Sequence, residues 1–198
     1  MDYTNLLIID CKTTLWEKPA DMPAGQNTEI ICVDIALVDT NKNQITDKEV
    51  VLVRPKQSKV SDYCEQLFGI KQSQLDACGV PFEEIYRKLR INYMSKDRLV
   101  ANWGSYEKYA FDKQCRISGL ENLFCYQFLN IQHLYSLMMG FCEKDAPAAL
   151  STALKNSGIT STGNVAADVA GIYMLMAKGL RPAQKNKNIL GTKFNHFN

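Results

Sequence analysis

The chain has 198 residues, of which 46% are hydrophobic and 22% are charged, and its formal net charge at pH 7 is +2. These values predict a soluble globular protein with one domain and a sizeable core. No apolar run approaches the roughly 20 residues of a membrane-spanning helix, and the start "MDYTN" lacks the features of a signal peptide, so no membrane association and a cytoplasmic location are predicted.

The cysteines argue against two kinds of stabilising site, and the charge distribution divides the chain into two parts. The seven cysteines form no C-x-x-C pair, which argues against a disulfide framework and a zinc site. Residues 178–198 carry five positive residues and no acid, so the remainder has 18 positive and 21 negative residues, a balance of −3. We expect residues 1–180 to form the domain and residues 181–198 to be a basic, disordered tail, although contact with phosphates or a partner is an alternative for the tail.

Strand signals come first in chain order. "YTNLLIID" predicts a buried strand that ends near Asp10, and "LWEKPADMPAGQN" predicts a loop because it contains two prolines and a glycine. Residues 28–40 and 44–55 predict two further strands joined by the turn "NKN". A strand, a short polar turn and a second strand are typical of an antiparallel hairpin.

Helices and strands alternate in the rest of the chain. Ser61 and Gly69 fit the N-cap and the C-terminal glycine of a helix. Further elements are predicted as a helix after Pro81, a strand over 97–104, a helix after it, a short strand followed by a helix in "FLNIQHLYSLMMG", and helices that close at Gly158 and Gly179. This order indicates one α/β sheet of mixed direction.

Five stretches together resemble the DEDDh family of 3′–5′ exonucleases, in particular its KapD/Eri-type branch. They are "LLIIDCKTTLWE", "PAGQNTEIICVDIALVD", "VRPKQSKVSDYCEQLFGIKQSQLDA", "ANWGSYEKYAFDKQC" and "GITSTGNVAADVAGI". The resemblance spans about residues 5 to 179 and rests on the order and spacing of the stretches. It implies a ribonuclease H-like (DnaQ-like) single domain with a mixed five-stranded sheet flanked by helices.

In that family, four acids hold two Mg²⁺ or Mn²⁺ ions and a histidine acts as general base on the attacking water. The resemblance places Asp10 at the first acid, Lys12 where the second acid is expected, Glu107 at the third and Asp168 at the fourth. The position of the histidine, five residues before Asp168, is Gly163, and no histidine lies between His133 and His196. We therefore expect no metal cofactor, or one weakly bound Mg²⁺ or Mn²⁺ ion at Asp10, Glu107 and Asp168.

The lysine raises a hypothesis about charge. An ammonium group at Lys12, paired with Asp10 and Asp168, would relieve repulsion between the carboxylates without a metal ion. With one acid replaced and the general base absent, hydrolysis by two metal ions should be crippled. The prediction is an inactive or very weak exonuclease-like protein, a pseudoenzyme retained as a regulatory module.

Its partner is predicted to be single-stranded nucleic acid or a protein. The candidates for stacking on bases are Trp16, Trp103 and Tyr106. Trp103 and Tyr106 fit positions in the core and at its rim equally well. The −3 balance outside the tail gives some support to a protein partner.

Two alternatives stay open from the sequence. The first is an active metal-dependent 3′–5′ exonuclease on single-stranded RNA or DNA, with a site of unusual composition. The second is a phosphatase-like fold, because "DCKTT" partly matches an Asp-x-Asp-x-Thr motif. The hairpin over residues 28–55 speaks against that fold, which requires helix-linked parallel strands after the motif.

Overall fold

The computed structural model describes residues 2–125, 127–140 and 146–180, and a five-stranded sheet lies at the centre of this part. The strand order is β3-β2-β1-β4-β5. The strands are β1 (Asp2–Thr13), β2 (Ile30–Asp39), β3 (Gln44–Leu52), β4 (Arg98–Asn102) and β5 (Phe128–Asn130). The strands β1, β2 and β3 pair antiparallel, whereas β4 and β5 run parallel to β1, so the predicted mixed sheet is confirmed.

Seven α-helices lie within the described residues, and a short 3₁₀ helix at Pro19–Asp21 interrupts the loop after β1. The cap prediction for the first helix is confirmed, because Ser61 accepts a hydrogen bond from the Cys64 N–H and Gly69 has a left-handed φ of 68°. The helices are α1 (Asp62–Phe68), α2 (Gln72–Cys78), α3 (Phe82–Ile91), α4 (Tyr106–Ile117), α5 (Ile131–Met139), α6 (Leu150–Asn156) and α7 (Val165–Leu180).

Strand β1 divides the core between the two faces of the sheet. Leu7 and Ile9 pack on one side with residues of α3 and α4, and Leu6 and Ile8 pack on the other with residues of α5, α6 and α7. Successive side chains of a strand point to opposite faces, so Asp10 and Lys12 continue the face that is covered by α7.

The predicted end of β1 near Asp10 is wrong. The strand continues to Thr13 because β2 pairs with it over its whole second half, with Lys12 opposite Cys32 and a bulge between Lys12 and Thr13. Asp10 therefore lies within the paired part of β1. Lys12 is two residues further along the same strand, so its side chain is on the same face of the sheet as Asp10.

The structure also bears on the cysteines, on membrane-spanning helices and on the division of the chain. Cys11, Cys32, Cys64 and Cys115 are free and buried, as expected for small apolar residues. The search for helices that are long and apolar enough to cross a membrane found none in the described ranges. The basic tail over 181–198 lies outside the described residues, so the division of the chain at residue 180 stays a prediction.

Candidate active site

Four polar side chains from β1 and β2 lie on the sheet face that α7 covers. Asp10 is directly opposite Asp34, and Lys12 is directly opposite Cys32. Cross-strand neighbours of this kind have Cβ atoms about 5 Å apart, so their side chains interact. The hairpin thus brings two acids, a cation and a thiol together without any contribution from loops.

The cation of this group is paired with an acid that the sequence analysis did not single out. Lys12 Nζ lies 3.1 Å from Asp34 Oδ2, and the side chain of Asp34 is completely buried. The same Asp34 oxygen accepts a hydrogen bond of 2.8 Å from the Val165 backbone N–H, at the first residue of α7. Asp34 therefore joins β1, β2 and α7 at one point.

This pair corrects the hypothesis that Lys12 is the counter-ion of Asp10 and Asp168. Burial opposes the charged form of Lys12, but the acidic groups around it, Asp34 and Asp10 among them, more than offset this and raise its pKa. Asp10 thus acts on Lys12 through the local field, whereas the ion pair is made with Asp34. The physical reason is register, because the pairing of β1 with β2 places the buried carboxylate of Asp34 on the same face as Lys12 and within reach of its ammonium.

A second carboxyl group adjoins Asp10. Glu107, in the first turn of α4, is buried with 4% of its surface exposed, and the Asn102 side-chain amide donates a hydrogen bond of 2.8 Å to it. Burial, followed by repulsion from Glu107, raises the pKa of Asp10 to about 7. Burial also raises the pKa of Glu107. With a pKa of about 7, Asp10 is partly protonated at neutral pH. Glu107 lies inside the protein and not on the exposed surface of α4.

Asp168 has a different set of partners. It is buried, and it accepts hydrogen bonds from the Ser161 hydroxyl at 2.6 Å, the Thr162 N–H at 2.8 Å and the Thr162 hydroxyl at 2.8 Å. A buried acid in an otherwise apolar helix needs polar partners. Here the partners are Ser161 and Thr162 in the loop before α7, and their hydrogen bonds to Asp168 hold this loop against the helix.

The position expected for a histidine lies in this loop. Gly163 is exposed and has a φ of +81°, which is the left-handed region. His133 is exposed on α5, and His196 lies outside the described residues. Within the ranges that the structure describes, no three His, Cys, Asp or Glu side chains are grouped so that they could hold a metal ion.

Comparisons with known proteins agree with this fold. No protein-family model matches the sequence. The chain is 24% identical to the 3′-5′ exonuclease Snipper of Drosophila melanogaster over 203 aligned residues, which cover 90% of this chain and 70% of Snipper. It is 27% identical to the probable 3′-5′ exonuclease KapD of Bacillus subtilis over 121 residues, which cover 61% of this chain and 57% of KapD.

A solved structure covers the domain almost completely. The nuclease domain of 3′hExo, a DEDDh family member bound to rAMP, superposes with a TM-score of 0.74 over 89% of this chain and 93% of that one, at 23% sequence identity. The chain is a homologue of 3′–5′ exonucleases. Its α/β fold, with the mixed five-stranded sheet, is that of the DEDDh nuclease domains.

The aromatic candidates of this exonuclease homologue occupy different environments. Trp103 is half-buried and packs against Tyr135 with ring centroids 5.8 Å apart, which is a core position. Tyr106 is 48% exposed, and its hydroxyl lies 2.7 Å from the Thr13 hydroxyl at the end of β1. Trp16 is half-buried in the loop after β1. Tyr106 is therefore the aromatic side chain that the structure holds at the rim of the acidic group, and its contact with bases stays a prediction.

Asp34 is the site residue that sequence reasoning missed. A signal was present, because Asp34 interrupts the apolar strand "IICVDIALV" just as Asp168 interrupts an apolar helix. An acid in such a surrounding needs a partner. The partner could be identified only from the strand register, which depends on the length of the loop between β1 and β2.

Proposed function

We propose that this exonuclease homologue has little or no hydrolytic activity and binds the 3′ end of single-stranded nucleic acid at the face formed by β1, β2 and the start of α4. The observation that carries the proposal is the ion pair between Lys12 and Asp34. It puts a fixed positive charge among the carboxylates, at the position where the exonuclease pattern has an acid.

The side chains present do not fit a pair of divalent metal ions. Such ions need several converging oxygen ligands, and a neighbouring ammonium group repels them. Asp34 is engaged with Lys12 and the start of α7, and Asp168 is engaged with Ser161 and Thr162.

The histidine that the exonuclease pattern uses as general base has no counterpart at its expected position. The position expected for the histidine is Gly163, which has no side chain that could accept a proton. Loss of a general base typically lowers a rate by about 10²–10⁴-fold. Together with the metal ligands, this supports a strongly reduced rate of hydrolysis.

Binding of nucleic acid can persist where hydrolysis is lost. The ammonium of Lys12 is partly accessible, with 20% of its side chain exposed, and it reduces the negative charge that would repel a phosphate. The half-exposed ring of Tyr106, whose hydroxyl lies 2.7 Å from the Thr13 hydroxyl at the end of β1, offers a surface on which a terminal base can stack. The structural neighbour 3′hExo was solved with rAMP bound, which supports a nucleotide as the ligand class.

The test uses 5′-labelled single-stranded RNA and DNA with the purified chain, in Mg²⁺, in Mn²⁺ and in EDTA. We expect binding in all three conditions without shortening of the strand. Shortening that requires a metal ion and is lost in Asp10→Ala would contradict the proposal and show an active exonuclease. Absence of binding would contradict it as well and direct the search to a protein partner.

A gain-of-function variant sharpens the same test. Lys12→Glu combined with Gly163→His restores the acid and the imidazole of the exonuclease pattern. If the missing groups limit hydrolysis, this variant should shorten the strand in Mn²⁺, whereas Lys12→Gln should not. Its circular dichroism spectrum and melting curve establish that it is folded before activity is compared.

A further inference from the structure

One face of α4 carries aromatic and basic side chains, three of which are exposed and one, Lys113, partly exposed. Tyr106, Tyr109, Lys113 and Arg116 are spaced by three, four and three residues, which places them on one face of a helix. We call this face the α4 stripe. The opposite face packs into the core through Glu107, Ala110, Phe111, Gln114 and Cys115.

The stripe begins at the candidate site and is accessible along its length. The first residue, Tyr106, is bonded to Thr13 at the end of β1, and Tyr109 is 60% exposed. Lys113 Nζ donates a hydrogen bond of 2.8 Å to the Thr28 hydroxyl, which holds its charge in place. Arg116 is exposed and makes no ion pair with any described residue.

The chemistry of the stripe fits an anionic strand with flat bases. Aromatic rings stack on bases of any sequence, and lysine and arginine attract the phosphates. The stripe itself contains no acid, and Asp112 lies on the flank next to Tyr109. This local positive charge differs from the rest of residues 1–177, where acids outnumber bases.

We propose that the α4 stripe is an extended binding track for single-stranded nucleic acid, which receives the nucleotides on the 5′ side of the terminal one. The proposal rests on the proposed function, because it assumes that the terminal nucleotide lies at Tyr106. Bases stack on Tyr106 and Tyr109, and the phosphates that follow lie at Lys113 and Arg116.

The length of the track gives a quantitative expectation. From Tyr106 to Arg116 the helix rises about 15 Å, at about 1.5 Å per residue. A stacked strand with an axial rise of about 3.4 Å per nucleotide covers this distance with roughly four nucleotides. Affinity should therefore increase with oligonucleotide length up to about five nucleotides and change little beyond that.

The experiment measures the affinity of fluorescein-labelled oligothymidylates and oligouridylates of two to ten nucleotides in EDTA, by fluorescence anisotropy. Tyr109→Ala should weaken binding of a six-nucleotide strand about tenfold. It should leave the affinity of a single nucleotide, uridine or thymidine monophosphate measured by competition, nearly unchanged, because that nucleotide contacts Tyr106 alone. This separates loss of the track from a general loss of folding. The matched control is Tyr3→Ala, because Tyr3 is equally exposed, at 61%, but lies at the other end of β1.

The salt dependence tests the two cations separately from the rings. Lys113→Gln with Arg116→Gln should make the slope of log affinity against log salt concentration less steep by about 1.4, since each phosphate contact on a single strand contributes about 0.7. Lys155→Gln, on α6 at the other face of the sheet, should leave the slope unchanged.

The outcomes separate this inference from the proposed function. If the wild type binds no oligonucleotide of any length, both fail. If it binds but affinity stops increasing at two nucleotides, or the stripe variants match their controls, the inference is wrong and the proposed function stands. Weaker binding of long strands alone, together with the reduced slope, supports the track.

Discussion

Asp10 and Asp168 were both expected to be ligands of one metal centre, but their surroundings differ. Asp168 accepts three hydrogen bonds from Ser161 and Thr162, in the loop that precedes its own helix. Asp10 faces a second carboxyl group, Glu107, and its pKa is raised to about 7. Asp168 has become a structural part of the α7 loop, whereas Asp10 lies beside another carboxyl group that opposes its ionisation.

The difference shows which carboxylates the ammonium group of Lys12 can neutralise in place of a metal ion. Lys12 neutralises Asp34, which is directly attached to the start of α7, and leaves the repulsion between Asp10 and Glu107 in place. The carboxylates on the α7 side are thus satisfied inside the protein. The carboxyl groups on the α4 side, Asp10 and Glu107, have no cation paired with them among the described residues, so a bound ligand can still change their protonation.

The largest expected effect concerns the α7 side. Asp34→Ala removes the partner of Lys12 and of the Val165 N–H, and leaves a largely buried ammonium without its ion pair. We expect a loss of about 4 kcal/mol in the free energy of unfolding, measured by urea denaturation. Glu65→Ala, which removes an exposed ion pair with Lys71, should cost less than about 1 kcal/mol. Equal losses in the two variants would contradict a structural role for Asp34.

Asp168→Ala should have the next largest effect. It removes the acceptor of three hydrogen bonds and leaves the Thr162 N–H and two hydroxyl groups without their partner. A loss of about 3 kcal/mol is expected, against about 1 kcal/mol for Ser161→Ala. The same denaturation experiment compares the two, and an effect of Asp168→Ala no larger than that of Ser161→Ala would remove the distinction between the two acids.

On the α4 side, the expected change has the opposite sign and depends on pH. The pKa of Asp10 rises from 3.8 to about 7 on folding, so wild-type stability falls through this group as the pH increases from about 4 to 7. Asp10→Asn lacks this loss. It should match the wild type near pH 4 and exceed it by about 2 kcal/mol at pH 8, after allowance for partial exposure. A difference that is independent of pH would contradict the raised pKa.

The smallest effects are expected at two glycines near Asp168, one in the loop before α7 and one inside the helix. Gly163 has a φ of +81°, so Gly163→Ala should cost about 1 kcal/mol although no atom lies within 4 Å of the added Cβ. Gly171 is inside α7, and its Cβ would meet Ile159 Cδ1 at an ordinary 3.5 Å. Gly171→Ala should stabilise the protein by about 0.5 kcal/mol. Thermal melts of both variants check the signs, and destabilisation by both would indicate that α7 tolerates no added volume.

Much of the fold was predictable because local signals agreed with one another. The hairpin turn over 41–43, the Ser61 cap, Gly69 and the apolar spacing of α3 each predicted an element that the structure contains. The end of β1 was predicted too early because an acid in a strand usually marks its edge. Here the pairing with β2 keeps Asp10 and Lys12 in the sheet.

Several members of the candidate site were named from the sequence, but Asp34 and the pairing of Lys12 were not. Asp10, Glu107 and Asp168 were identified through resemblance, and all three lie at or near the α7 and α4 sides of the site. The partner of Lys12 depends on which residue of β2 faces it, and a shift of one residue would have placed Asp34 on the opposite face. No pattern within a single strand contains that information.

The central claim is that this site does not hold the metal ions of an exonuclease. The most direct measurement is a calorimetric titration of Mn²⁺ into the wild type, with Asp10→Ala as the control, at pH 7 and moderate salt. We predict no saturable binding in either protein at millimolar Mn²⁺, together with oligonucleotide affinity that EDTA does not change. Saturable binding of one or two ions by the wild type, lost in Asp10→Ala, would contradict the account.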